Sequence, residues 1–348
     1  MGRKHTSLKD LATELGVSIS TVSRALKNHP DISPGLTSKI KELAHERNYT
    51  PNPLAMGLLR QQTKMIGIIV PDIVTHFYSS IISGIEEVAK QHGYFIVIAS
   101  SNESVEKEIE SVDNLLKSRV EGFIVCVSQE TKNPKHFEKL IRNEIPLVFF
   151  DRICETLEVP SVIADGEDAA IRITKHFFEN GCKRIAYISG PEHLNISKSR
   201  KEGYLKGLKK CGLKFDAQLL TECNLSFEDA TIATRQLLQL KKIPDAIFGL
   251  NDTIAFAAMK EIKKQSLKIP DDIALVGFTD EFHSTIVEPT LTSIIHPTIK
   301  MGRESAELFF QLIEKESNFK KQVVLETELV VRKSSKKQTV IKPRDYTS

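Results

Sequence analysis

Seven short apolar runs recur between residues 65 and 280. They are MIGIIVP (65–71), YFIVIAS (94–100), EGFIVCV (121–127), PLVFFD (146–151), RIAYISG (184–190), PDAIFGLND (244–252) and DIALVGFTD (272–280). A run that does not alternate apolar with polar suits a strand buried on both faces, the hallmark of a parallel sheet. The stretches between the early runs, 75–92, 103–118 and 134–144, have the length of crossover helices. This alternation restricts the chain to an α/β fold of the doubly wound parallel-sheet kind, and its repetition predicts two lobes. In such sheets a ligand lies beyond the carboxyl ends of the strands.

Polar residues fall where that rule requires them. Asp72, Asp151, Asn251, Asp252, Thr279 and Asp280 each follow or close an apolar run, and Arg200 lies beyond RIAYISG. A single Asp at a strand end caps a loop more often than it binds anything; recurrence at several strand ends is the signal. Carboxylates, an amide and a guanidinium converging on one cleft match the hydroxyl groups of a sugar-like ligand, with Phe77 and Tyr78 as rings to stack on its face.

The first 50 residues follow a different period. Leu8, Leu11, Ala12 and Leu15 fall at i, i+3, i+4 and i+7, with Ser7 and Asp10 as a capping-box start and Gly16 as the stop. Ser18 is a second N-cap, followed by the stripe Val22, Ala25 and Leu26; a third helix follows Ser33-Pro34 with Leu36, Ile40, Leu43 and Ala44 inward. Helix, Gly-containing turn, helix and a packing helix make a helix-turn-helix pattern. The second helix then presents Ile19, Ser20, Ser23, Arg24 and Lys27 outward. Short hydroxyl side chains let a helix approach DNA closely, and Arg24 can reach guanine O6 and N7 in the major groove. Ser7, Ser18, Thr21 and Asn28 complete the candidate DNA-contacting set. Next, NYTPNPLAMGLLRQQTKM predicts a short helix over 53–61 that folds only against a partner, being under roughly 12 residues long. Its leucines Leu54 and Leu58 are too few for a core and suit minor-groove insertion.

Charge agrees with this division. Residues 1–64 hold ten Lys/Arg against five Asp/Glu, although the whole chain is only +3. A basic head on a near-neutral body is the footprint of a polyanion-binding module joined to something else. Five scattered cysteines (126, 154, 182, 211 and 223) without a C-x-x-C argue for a reducing compartment and against a zinc site. No apolar run of roughly 18 residues exists to span a membrane, and MGRKHTSLKD is not a signal peptide. The expectation is a cytoplasmic protein without metal or cofactor.

Taken in order, SLKDLATELGVSISTVSRALKN, NYTPNPLAMGLL, IGIIVPD, VFFDR, ISGP…SRKEGY, IFGLND, ALVGFTD and LTSIIHP resemble the lactose/galactose-repressor family of bacterial regulators, over residues 5–332. That resemblance implies a three-helix DNA-binding head (1–50), a hinge helix and linker (51–64), and a two-lobed effector-binding and dimerisation body (65–332) like a type I periplasmic sugar-binding protein. Lobe 1 would span 65–163 and 295–322, and lobe 2 would span 164–294 and 323–332. Residues 333–348, without periodicity, are expected as a disordered tail. The resemblance puts base readout on Ile19, Ser20 and Arg24, groove insertion on Leu58, and effector contacts on Tyr78, Asp151, Arg200 and Asn251, with Thr279 and His296 behind them. Two departures stand out. Family members often carry Asp where this chain has Thr279, so that Asp280 could substitute, and many carry Gln where it has His296.

The reading is a repressor acting as a homodimer on a palindromic operator in double-stranded DNA, its affinity set by a small-molecule effector, most simply a carbohydrate. A solute-binding protein without a transcriptional role shares the body but has no use for the basic head. An enzyme is disfavoured by the absence of G-x-G-x-x-G, G-x-x-x-x-G-K-[ST] and G-x-S-x-G.

Overall fold

The structure, a computed structural model, describes residues 6–49, 63–315 and 321–336. It divides into two compact units, residues 1–63 and 64–348. The hinge helix expected over 53–61, with Leu54 and Leu58, lies outside the described residues.

The first unit is three helices: α1 (Leu8–Glu14), α2 (Ile19–Leu26) and α3 (Pro34–Glu46). The Ser7 hydroxyl accepts the Asp10 amide while the Asp10 carboxylate accepts the Ser7 amide, so both orphan N–H groups at the helix start are satisfied. Gly16 sits at φ +65°, the left-handed conformation that lets the chain turn sharply into α2. Leu11, Ala12, Val22, Ala25, Ile40 and Ala44 form the core. Arg47 closes α3 onto α1 through both oxygens of Glu14, at 2.6 and 3.2 Å.

The second unit holds two parallel sheets. In the first, β1 (Met65–Val70), β2 (Phe95–Ser100), β3 (Gly122–Val125), β4 (Leu147–Phe150) and β5 (Ser161–Ala164) are joined by a late strand, β11 (Gln322–Leu325), in the order β11-β5-β4-β3-β1-β2. Helices α4 (His76–Gln91) and α11 (Thr298–Ile313) cover one face with Ile66, Ile68 and Val70. The other face, with Ile69, packs under α5 (Val105–Lys117) and α6 (Lys135–Arg142). Apolar residues of β1 thus point alternately into two cores, the reason the run has no polar positions. β2 departs from the expectation of burial on both faces: Phe95 is 73% exposed and Ile98 is exposed too. It is the edge strand, and no neighbouring strand or helix covers these side chains within the described residues.

The second sheet orders β6 (Ile185–Ser189), β7 (Leu220–Glu222), β8 (Ala246–Gly249) and β9 (Ala274–Val276) as β7-β6-β8-β9. Around it α7 (Gly166–Glu179) packs on α8 (Asn195–Lys210), and α9 (Phe227–Leu238) on α10 (Asp252–Lys264). β10 (Ser293–Ile295) pairs antiparallel with β12 (Glu328–Val330). The chain therefore passes between the lobes three times: after β5, at β10, and between β11 and β12. Asp165, Arg172 and Thr327 tie two of these crossings together by side-chain hydrogen bonds.

Two boundaries expected from sequence are corrected. Residues 323–325 do not belong to lobe 2; they lie in β11 and pair in register with Val162–Ala164 of the first sheet. The expected tail does not start at 333 either. Ser334 and Ser335 are buried, and the Ser334 hydroxyl donates to the Leu275 carbonyl at 2.6 Å while accepting the Thr292 amide at 2.8 Å. Hydroxyl groups that satisfy sheet-edge polar atoms leave no hydrophobic period to read.

Candidate functional site

Between the lobes of the second unit lies a cavity of about 190 Å³. Its walls come from the carboxyl ends of the strands. Asp72 and Thr75 follow β1, Phe77 and Tyr78 open α4, Glu103 follows β2, and Asp151 and Arg152 follow β4. From the second lobe come Ile196 and Arg200 of α8, Leu225 beyond β7, Asn251, Asp252 and Thr253 at the start of α10, and Thr279 and Glu281 beyond β9.

Arg200 is 3% exposed. One nitrogen donates to the Leu250 carbonyl at 2.6 Å, the guanidinium lies 3.6 Å from the centre of the Phe278 ring, and Nε has no hydrogen-bond partner among the described residues. Burial depresses its pKa against the opposing pull of Asp151 and Tyr187. Asp151 is also buried, at φ +55°, a strained conformation for a non-glycine residue. Burial pushes its carboxyl up, but His296, Arg200 and Arg152 hold it below the usual carboxylate range, so it stays an acceptor. Arg152 donates to both oxygens of Glu103 at 2.9 Å. Burial works against its charge, yet Tyr78 and Glu103 lead the groups that hold its pKa well above the ordinary value. Burial keeps the Tyr78 hydroxyl protonated and able to donate.

Asn251 caps α10 by accepting the Ile254 amide at 2.9 Å, which spends its oxygen and leaves its NH₂. Asp72 accepts the Val74 amide on one oxygen at 2.7 Å. Asp252 is committed elsewhere: it accepts from Ser293, Ser284 and the Glu281 amide at 2.6–2.8 Å, and burial pushes its carboxyl up to about 6. The groups left to meet a ligand are acceptors on Asp72 and Asp151 and donors on Arg200, Asn251 and Tyr78. Among the described residues no cluster of His, Cys, Asp and Glu is arranged to hold a metal ion.

Eight expected residues, Asp72, Phe77, Tyr78, Asp151, Arg200, Asn251, Asp252 and Thr279, meet in this cavity. Two do not line it. Asp280, at φ +49°, turns its carboxylate to Arg332, which binds both oxygens at 2.5 and 3.1 Å. His296 sits behind the wall, 3.6 Å from an Asp151 oxygen and edge-on to Phe77 at 5.0 Å. Glu103, Arg152 and Glu281 were not expected. Arg152 follows Asp151 directly in VFFDR, which was a usable signal; Glu103 lies in a polar turn with none.

On the first unit, Ile19, Ser20 and Arg24 share the outer face of α2. Ile19 is 48% exposed. The Ser18 hydroxyl accepts the Thr21 amide at 3.1 Å and lies 2.7 Å from the Ser20 hydroxyl. Arg24 is exposed and, among the described residues, pairs with Asp31 at 3.8 Å, a loose contact from which it can be recruited elsewhere at little cost. Ser23 is half-buried, and Ser7 is an exposed cap. Asn28, at φ +57°, accepts Lys41 Nζ at 2.6 Å.

Residues 7–52 match the family model described as "Bacterial regulatory proteins, lacI family". Residues 63–333 match that of "Periplasmic binding proteins and sugar binding domain of LacI family". The chain is 32% identical over 330 residues to the HTH-type transcriptional repressor CytR of Escherichia coli (strain K12), covering 95% of this chain and 96% of that protein. It is 30% identical to catabolite control protein A of Priestia megaterium, covering 95% and 100%. Among solved structures, a lac repressor dimer bound to operator and the anti-inducer ONPF aligns with TM-score 0.83 at 27% identity, covering 95% of this chain and 99% of that one. The transcriptional regulator CelR in complex with cellobiose aligns with TM-score 0.73 at 27% identity, covering 95% and 100%.

Proposed function

The chain belongs to the LacI family of bacterial regulatory proteins, and from that premise we propose how its parts divide the work of a transcriptional repressor. Residues 1–50 bind DNA, 51–64 act as hinge and linker, and the body from 65 onward binds the effector and a second protomer. In the head, α2 enters the major groove with Ser20 and Arg24 on base edges and Ile19 against them. Ser7, Ser18, Thr21, Ser23 and Asn28 hold the backbone, and Leu58 of the hinge inserts into the minor groove. The exposed Arg24, whose pairing with Asp31 at 3.8 Å is loose, and the exposed Ile19 support this assignment.

The effector is a carbohydrate held by Asp72, Asp151, Arg200 and Asn251, with Phe77 and Tyr78 as the rings against its face. The observation that carries this reading is the buried Arg200 beside Asp151. Together they offer a fixed donor and a fixed acceptor to neighbouring hydroxyls. Asp280 and His296 are left out of the direct contacts. The effector acts through its different affinity for the DNA-competent and DNA-incompetent arrangements of the dimer. The same reading assigns no catalytic step to the cavity and places the repressor in the cytoplasm; among the described residues no helix is long and apolar enough to cross a membrane. A homodimer on a two-fold operator follows from a head that reads one half-site, and the exposed Phe95 and Ile98 on the β2 edge are surface a second protomer would cover.

The test is operator selection from random DNA followed by a thermal-shift screen of the full chain against neutral sugars, sugar phosphates, uronic acids and purines. A palindromic consensus, together with a stabilising sugar that changes operator affinity, supports the reading. Stabilisation by purines alone replaces the carbohydrate, and absence of any sequence preference rejects the repressor.

A further inference from the structure

We propose that Gln129 is a clasp that holds the two lobes closed over the cavity, and that Glu103 sets it from inside the cavity wall. The proposal rests on the reading of the cavity as the effector site and adds to it the residues that govern access.

The clasp stands on a rigid arm. After β3 the chain forms a loop over 126–134 that is fastened by one carboxylate, Glu108, which is 0% exposed. It accepts the Ser128 amide at 2.7 Å and the Thr131 hydroxyl at 2.6 Å, and it meets His136 Nε2 at 2.9 Å. Two bonds from the loop and one from His136 at the start of α6 to a single buried group leave the loop little freedom. They also explain why so polar a residue is spent in the apolar face of α5.

From that arm Gln129 reaches the other lobe twice. Its side-chain oxygen accepts the Leu225 amide at 2.9 Å, and its carbonyl accepts His193 Nε2 at 2.7 Å. Its own amide donates at 2.8 Å to Glu103, whose carboxylate also holds Arg152. Glu103, Arg152 and Leu225 all line the cavity. A ligand that engages Arg152 therefore acts on the same carboxylate that orients the clasp.

Position gives Gln129 leverage. The crossings leave the first sheet at β5 and β11, its far edge. Asn195 and Lys198 of α8 also bridge the lobes: Asn195 bonds the Ile153 amide and the Asp151 carbonyl, and Lys198 pairs with Glu155. These contacts act on the segment just after β4, one strand from the crossings. Gln129 follows β3, two strand spacings or about 10 Å away, so the same force there resists opening with a longer arm. Its partners are a loop amide and an imidazole that water can satisfy when the lobes part, which keeps the clasp reversible.

Residue-resolved amide hydrogen exchange on the full chain without ligand tests this. In Gln129→Ala the Leu225 amide should exchange at least tenfold faster. The Ile153 amide, which donates across the cleft to Asn195, should accelerate with it, while the Ile188 and Phe248 amides of the second sheet keep wild-type rates. His193→Ala, made on the opposite lobe, should reproduce the pattern and carries the test if Gln129→Ala proves globally unstable. Glu103→Gln should accelerate Gln129 and Leu225 together. Unchanged Leu225 exchange overturns the proposal, as does acceleration of Leu225 without Ile153, which would make Gln129 a local contact only. Because no ligand is used, a failed sugar screen leaves the clasp standing, and a failed clasp leaves the effector site standing.

Discussion

Arg200 is held by a carbonyl and a ring face, and Asp151 is held as an anion by cations around it. Arg200→Ala should therefore leave the fold in place but abolish the thermal shift produced by the effector, and Arg200→Lys should not restore it, because an ammonium lacks the planar fork. Calorimetry showing wild-type effector affinity in Arg200→Ala would move the site elsewhere. On the head, Arg24→Ala should cost about 1–3 kcal/mol on the selected operator and relax one base position; competition between operator variants measures both. Thr279 sits at φ +126°, a conformation rare for a β-branched residue. Thr279→Gly should stabilise the fold by about 1 kcal/mol through relief of strain, read as a higher denaturation midpoint, while weakening effector binding. Most of the expected cavity residues were legible because they stand at a strand end or open the helix that follows, a purely local cue; Arg200, in the second turn of α8, is the exception. Asp280 was misplaced because its partner Arg332 is 52 positions away, a distance no local pattern spans.

The helices show where small residues decide geometry. α4 and α11 cross at Gly84 and Gly302, so closely that a Cβ on Gly302 would run into the Ile81 carbonyl oxygen. Gly302→Ala should force the pair apart at a cost of about 1–3 kcal/mol, measured as a lowered urea midpoint. The same cross-over brings Phe77 to the cavity, so effector affinity should fall with it. The strand-and-helix alternation could be read directly from the sequence, since seven apolar runs became seven strands. The short strands β5, β7, β10, β11 and β12 could not. β3, β4, β8 and β9 are equally short but sit inside longer apolar runs, whereas these five carry at most three consecutive apolar residues, too few to stand out from their polar flanks. Nor does sequence reveal which strand ends up at an edge, so β2 was expected to be as buried as β1.

For the second unit as a whole, Asp252 gives a pH signature. Its folded pKa of about 6 lies above the ordinary 3.8. Its contribution to stability is thus fully present below pH 3.8 and is lost as the pH rises through about 6, an effect of about 3 kcal/mol. Asp252→Asn removes that slope, so the gap in melting temperature between wild type and variant should shrink as the pH goes from 4 to 7. A constant gap would show that the carboxyl does not titrate there. The crossings carry another consequence, one of timing. The first sheet waits for β11, which leaves the ribosome roughly 160 residues after β5. At about 5–20 residues per second, the β5 edge stays bare for on the order of ten seconds or more while most of the second lobe is being made. An unpaired strand edge is what holdase chaperones cover and what aggregates recruit. In a cell lacking such chaperones, the yield of this protein should therefore depend on how fast it is translated through residues 165–322.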